Sequence, residues 1–235
     1  MNDAQDDRGS TPVGPSLAAI MGAIVLIQAV AWGSGVRGGG LAEAVERGAA
    51  RVEVRSAGEV AEADIRRVID DQRDTLRFWA TLAAVGDFVF EPLAPALRAI
   101  LAASSFSAVA ALRGRPIRFD PALRGAVTAQ WFWVLGMAVH VALMVAVGLP
   151  GAETSATLLL PPGSYPAGAW IALRQVDLFV ILGWMAVARS GWRLGLVGLG
   201  SASLTCGVLW ALESMLRLGA ALTCGAAMRA VLMPG

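Results

Sequence analysis

Ionisable side chains fall in or beside apolar stretches of this 235-residue chain: Asp87, Glu91, Arg98, His140, Arg174, Asp177, Glu213 and Arg217. A charge at bilayer depth is expensive, so it pairs with another group, lines a water path or relays a proton. Arg174 and Asp177 are three residues apart, and Glu213 and Arg217 are four apart, spacings that place each pair on one helix face. Opposite charges in near balance suit an interhelical salt-bridge layer that fixes helix register, with long Arg stems reaching outwards. The competing reading is a path or site for an ion or proton. His140 is the single histidine. One imidazole without a second ligand makes no metal site unaided, so it reads as a core histidine bonded to a neighbouring helix. Its other reading is contact with a cofactor, in a chain that is an accessory subunit of a larger respiratory or photosynthetic membrane complex.

No catalytic constellation accompanies these groups. All 19 basic residues are Arg, which removes the amine of Schiff-base and P-loop chemistry. His140 has no nucleophile elbow beside it, and no HExxH run occurs. Cys206 and Cys224 lack the spacing of a zinc site or a disulfide framework. Asp and Glu total 18, so no charge excess exists to attract nucleic acid. The expectation is no enzyme, no cofactor, no metal, no nucleic acid and no soluble substrate. The partners expected are the lipid bilayer and other membrane proteins.

The elements that must hold these residues are set by composition. Hydrophobic residues make up 56% of the chain and charged residues 16%, against about 25% charged in soluble domains. Such a chain needs lipid to cover it. A hydrocarbon core of about 30 Å takes about 20 apolar residues as helix. Ser16–Trp32, Ala126–Leu149, Ala169–Ala188 and Leu194–Leu216 satisfy this with little intruding charge. The apolar run from Phe78 to Leu112 contains Asp87, Glu91, Pro92, Pro95 and Arg98, so a break is placed near Glu91-Pro92 and the span over Pro92–Leu112. Ala103, Ser107 and Ala111 in that span, and Gly198, Ala202, Cys206 and Ser203, Gly207, Ala211 in the last one, recur every four residues as packing seams. The fold class expected is all-α, a polytopic membrane bundle of five transmembrane helices plus one extramembrane amphipathic helix. The divisions are a tail at 1–15, a first span at 16–33, a loop with the amphipathic helix at 34–91, a four-helix bundle at 92–216 and an apolar tail at 217–235.

Within the loop, the Gly33, Gly35 and Gly38-Gly39-Gly40 run reads as a flexible exit from the first span. Ser56 and Glu59 fit a capping box. Ile65, Val68, Ile69, Leu76 and Trp79 recur at helical spacing, and Glu62–Arg66, Asp64–Arg67, Asp70–Arg73 and Asp74–Arg77 are candidate pairs on the polar face. Trp131, Trp133, Trp170, Trp184 and Trp192 read as interface anchors. Orientation comes from short loops. Loop 113–125 holds Arg113, Arg115, Arg118 and Arg124, loop 189–193 holds Arg189 and Arg193, and loop 150–168 holds no Arg. The first two therefore face the cytoplasm, with the N-terminus inside and the C-terminus outside. The localisation expected is the cytoplasmic (inner) membrane, multi-pass.

The string Val176-Asp177-Leu178-Phe179-Val180-Ile181-Leu182-Gly183-Trp184, followed by Ala188-Arg189-Ser190-Gly191-Trp192-Arg193 and a last span, resembles the bacterial branch of the Yip (Ypt-interacting protein) family. The span ending Leu112-Arg113-Gly114-Arg115 and the third span opening near Gln130 agree in layout. Phe179 and Val180 depart from the eukaryotic Asp-Leu-Tyr-Gly pattern, which sets Rab-GTPase binding aside. The resemblance implies a five-span, non-enzymatic membrane scaffold or adaptor that binds other membrane proteins or shapes lipid, and no catalytic residue carries over.

Cysteine-accessibility labelling tests the orientation. A cysteine placed in loop 113–125 is expected to react only after the membrane is opened, and reaction from the outside in intact cells would reverse the topology.

Overall fold

The computed structural model describes residues 13–56, 61–148, 154–159 and 167–232. Segments without strand alternation fold as helices, apolar ones and the charge-rich α2 and α3 alike: α1 (Val13–Gly33), α2 (Val36–Ser56), α3 (Glu62–Asp74), α4 (Leu76–Val85), α5 (Glu91–Leu112), α6 (Phe119–Ala129), α7 (Trp131–Val147), α8 (Ala167–Arg174), α9 (Leu178–Arg193) and α10 (Leu199–Leu232). A π-helical turn, Gly86–Phe90, leads into α5, and a 3-10 turn, Ala156–Leu159, precedes α8. Among the described residues there is no strand, only an isolated antiparallel bridge between Ser155 and Asp177.

Four helical stretches are long and apolar enough to cross a bilayer: Val13–Gly33, Glu62–Leu112, Phe119–Val147 and Leu199–Thr223. They support a membrane protein with an all-α fold. The chain divides into two compact units. One comprises Met1–Val25, Glu91–Met137 and Leu178–Leu212, and the other Leu26–Phe90, Ala138–Asp177 and Glu213–Gly235.

Side-chain size is sorted in the sense that lipid solvation requires. On α5 the buried face is Pro92, Pro95, Ala99, Ala102, Ala103, Phe106 and Ala110, mostly small. Its large residues Leu93, Leu97, Ile100 and Leu101 are exposed. On α10 the seam of Ala202 and Cys206 is buried, whereas Leu204, Val208 and Leu212 are exposed and Ser203, Gly207 and Ala211 lie on the exposed side. In water, contiguous exposed leucine of this kind is an aggregation surface. In hydrocarbon it is solvated, and small residues let the helix backbones approach.

In the first unit the close approaches are made by glycines. A Cβ on Gly191 would sit 2.7 Å from the Phe106 ring, and one on Gly136 would sit 2.6 Å from Phe179. One on Gly183 would strike the Trp133 ring, and one on Gly125 would lie 2.8 Å from Ser190 Oγ. The contacts tie α5, α6, α7 and α9 together. Gly114 and Gly195 end α5 and α9 at φ +65° and +66°. There the Arg115 N–H donates to the Ala110 carbonyl and the Leu196 N–H to the Gly191 carbonyl, the six-to-one bond of a Schellman cap. In the second unit a small core forms from Ala31, Val141 and Met144 with Ile27 and Val36 against it.

Several sequence expectations change. The segment over Gly38-Gly39-Gly40 is not an open exit but the first turn of α2, and the turn is confined to Ser34 and Gly35, where φ is +76°. The break expected near Glu91-Pro92 is absorbed by the π-helical turn just before it. Pro92 has no N–H to return to the preceding turn, and its ring would clash with the carbonyl there; a wider turn accommodates both. The span expected over 169–188 is interrupted: α8 stops at Arg174 and α9 begins at Leu178. The Ser56–Glu59 capping box lies outside the described residues. Glu62–Arg66 pairs at 2.6 Å, while Arg73 stands 3.9 Å from Asp70 and 2.9 Å from Glu46 on α2. No ion pair joins Asp64 to Arg67 or Asp74 to Arg77 among the described residues. The Arg73 hydrogen bond lowers the Glu46 pKa, so this α2–α3 link holds above the ordinary carboxylate pKa and loosens as acid protonates Glu46.

The glycine contacts give a paired test. Gly183→Leu forces the Trp133 ring to move and should cost about 1–3 kcal/mol of stability in detergent, the usual range for overpacking. Gly22→Ala, in α1 with open space around it, should be neutral or stabilising by up to about 1 kcal/mol. Equal effects of the two on the thermal midpoint would contradict the packing assignment.

Candidate functional site: the buried charge clusters

Asp87 is 4% exposed inside the π-helical turn, and its carboxylate is held by two groups the sequence reading did not assign to it. Arg37, at the start of α2, donates from Nε to Oδ2 at 2.7 Å and from Nη2 to Oδ1 at 2.7 Å. Trp32, at the end of α1, donates its indole N–H to Oδ2 at 3.0 Å. The bidentate fork matches the planar carboxylate and is among the stronger ion-pair geometries. Its partners come from 50 and 55 residues away, carried there by the α1–α2 turn at Gly35. The π-helical register aims Asp87 at that turn. Arg37 remains 39% exposed, so the pair is screened on one side.

The second cluster, within the other unit, surrounds Arg98. This guanidinium is 7% exposed on the small-residue face of α5. Its Nη1 donates to Gln130 Oε1 at 3.3 Å, and its Cζ lies 4.9 Å from the Trp133 ring centroid. Gln130, fully buried between α6 and α7, returns its amide N–H to the Ala126 carbonyl at 3.2 Å. That bond fixes which end of the amide faces Arg98. Trp133 meets Trp184 of α9 edge to face, at 5.6 Å and 88°. A desolvated cation over an indole contributes about 2 kcal/mol. Trp133 and Trp184 therefore serve in this core, and Trp184 is 6% exposed. This corrects their reading as interface anchors. Trp192, by contrast, is exposed.

The remaining candidates are held more locally. Arg174 closes α8 with its guanidinium 5.3 Å from the Trp170 ring. Asp177 lies in the interval before α9, so it does not share a helix face with Arg174 as the spacing implied. Its carboxylate accepts the Thr154 hydroxyl, and the Val176 carbonyl accepts the Ala156 N–H, which docks the 3-10 turn on the helix break. Glu213 and Arg217 pair along α10 at 3.0 Å, as their spacing implied. Glu91 opens α5, and His140 lies half-buried on α7; both make further contacts. Among the described residues no three His, Cys, Asp or Glu side chains come together as a cation site. The arrangement can pin helices in register and hold buried charge.

The chain matches no family model, no curated protein and no solved structure.

The Asp87 clamp yields a double-mutant cycle. Arg37→Gln should cost about 1–3 kcal/mol, because it strips donors from a buried carboxylate. Asp87→Asn should cost a similar amount, and the double variant less than the sum of the two. Strict additivity in thermal unfolding would show that the two groups do not interact.

Proposed function

We propose that the chain is a non-enzymatic multi-pass protein of the cytoplasmic membrane, a scaffold or adaptor of Yip type that binds other membrane proteins. The observation that carries this reading is the closure of buried charge by side chains of the chain itself. Asp87 is taken by Arg37 and Trp32, and Arg98 by Gln130 and Trp133. A group that binds cargo must be available to it, and these are engaged. The outward leucine faces of α5 and α10 offer surface to lipid and to other transmembrane helices. In this proposal α9 completes a fifth crossing. Its 16 residues rise about 24 Å, short of the hydrocarbon thickness, and the deficit is met by local thinning of the bilayer and by the Arg residues at its end.

One observation favours a second reading, a small transporter. The break between α8 and α9 carries a carboxylate, Asp177, and interrupted helices of this kind mark binding sites in transporters. Thr154 occupies that carboxylate here.

Reconstituted vesicles separate the two. With a pH-sensitive dye inside and an imposed proton or sodium gradient, the scaffold reading expects flux equal to protein-free vesicles. Flux above that level which is lost in Asp177→Asn would overturn it in favour of transport.

A further inference from the structure

The first unit carries a groove of about 700 Å³ between α9 and α10, with Phe132 of α7 at one wall. This is within the size of small-ligand sites, about 300–1,000 Å³. Most of the lining is apolar: Ile181, Met185 and Trp192 from α9, Leu199 and Trp210 from α10. One lining residue is charged, Arg189. Arg193 follows it by one helical turn, on the same side of α9.

These two guanidiniums differ from Arg113 and Arg115 after α5 and from Arg124 of α6. Arg113 donates to Ser201 Oγ at 2.6 Å, Arg115 to the Gly195 carbonyl at 3.0 Å, and Arg124 pairs with Asp120. Arg189 and Arg193 are exposed and take no partner among the described residues. The connection from Arg193 to Leu199 is short, so the first turn of α10, with its unsatisfied N–H groups, opens at the same end of the groove. An apolar trough thus terminates in two unpaired cations and a positive helix end.

We infer that this groove is a site for an acidic phospholipid, its acyl chain lying along α9 and α10 and its phosphate held by Arg189 and Arg193. Charge complementarity selects this occupant. A zwitterionic lipid would fill the trough but bring its own cation to the Arg pair. A second copy of the chain would cover the apolar wall with an apolar helix and leave the two charges without an anion. Basic pockets between transmembrane helices bind acidic headgroups by the same logic.

Native mass spectrometry of the full chain released from detergent tests this, with phosphatidylglycerol and phosphatidylcholine of identical acyl chains. The expected result is preferential retention of phosphatidylglycerol. Each Arg near the headgroup corresponds to about a fivefold change in affinity, so Arg189→Gln should weaken retention about fivefold and Arg189→Gln with Arg193→Gln about thirtyfold. Arg118→Gln, an exposed basic residue outside the groove, should leave it unchanged. Gly207→Leu, whose side chain would project into open space in the groove, should lower retention of both lipids. An unchanged thermal midpoint in the Arg variants confirms that they fold. Equal retention of the two lipids, an Arg118 effect as large as that of Arg189, or a dimer that binds neither lipid would overturn the assignment.

Discussion

Lipid tails are as apolar as leucine, so two helices in a bilayer gain almost nothing by burying leucine against each other. Cohesion has to come from close backbone approach, ring packing and polar groups that cannot be left unmatched in hydrocarbon. The first unit follows this constraint in its packed faces. Leucines of α5 and α10 face outwards, Ala99, Ala102, Ala103 and Ala110 of α5 face inwards, and Gly183, Gly191 and Gly136 admit aromatic side chains from neighbouring helices.

The buried charges follow from the same constraint. Arg98 in the small-residue face would be intolerable alone, and it is surrounded by an amide oxygen and an indole face. Asp87 is matched by a guanidinium fork and an indole N–H. Removing one member of such a cluster leaves a buried polar group stranded, which costs more than the contact contributes when intact. The clusters thus penalise any slip in helix register within each unit. An apolar contact, tolerant of small shifts, has no comparable penalty.

Local features were readable in the sequence, and long-range ones were not. Helical spacing announced Glu62–Arg66 and Glu213–Arg217, because the 3.6-residue period alone brings such pairs together. The ends of α1 and α5 fell close to Trp32 and Leu112, since hydropathy changes sharply there. Arg37 and Trp32 as partners of Asp87 depend on a turn at Gly35 that carries the chain back, and no spacing rule reports a contact across 50 residues. Gly38-Gly39-Gly40 looked like a breaker, yet tertiary context holds it helical in α2, where weak propensity is overridden. The interruption before Leu178 has no local signal, since no Pro or Gly marks Gln175, Val176 or Asp177; a bond from Thr154, 23 residues away, sustains it.

The central claim is that hydrocarbon solvates the outer helix faces, and depth-resolved spin labelling tests it most directly. A nitroxide at Leu97, which is 60% exposed on α5, would be placed in reconstituted bilayers and its collisions with oxygen and with a water-soluble nickel chelate compared. Frequent collision with oxygen and almost none with the chelate is the predicted result. Chelate access at Leu97 equal to that at exposed Arg118 would place this face in water and contradict the account.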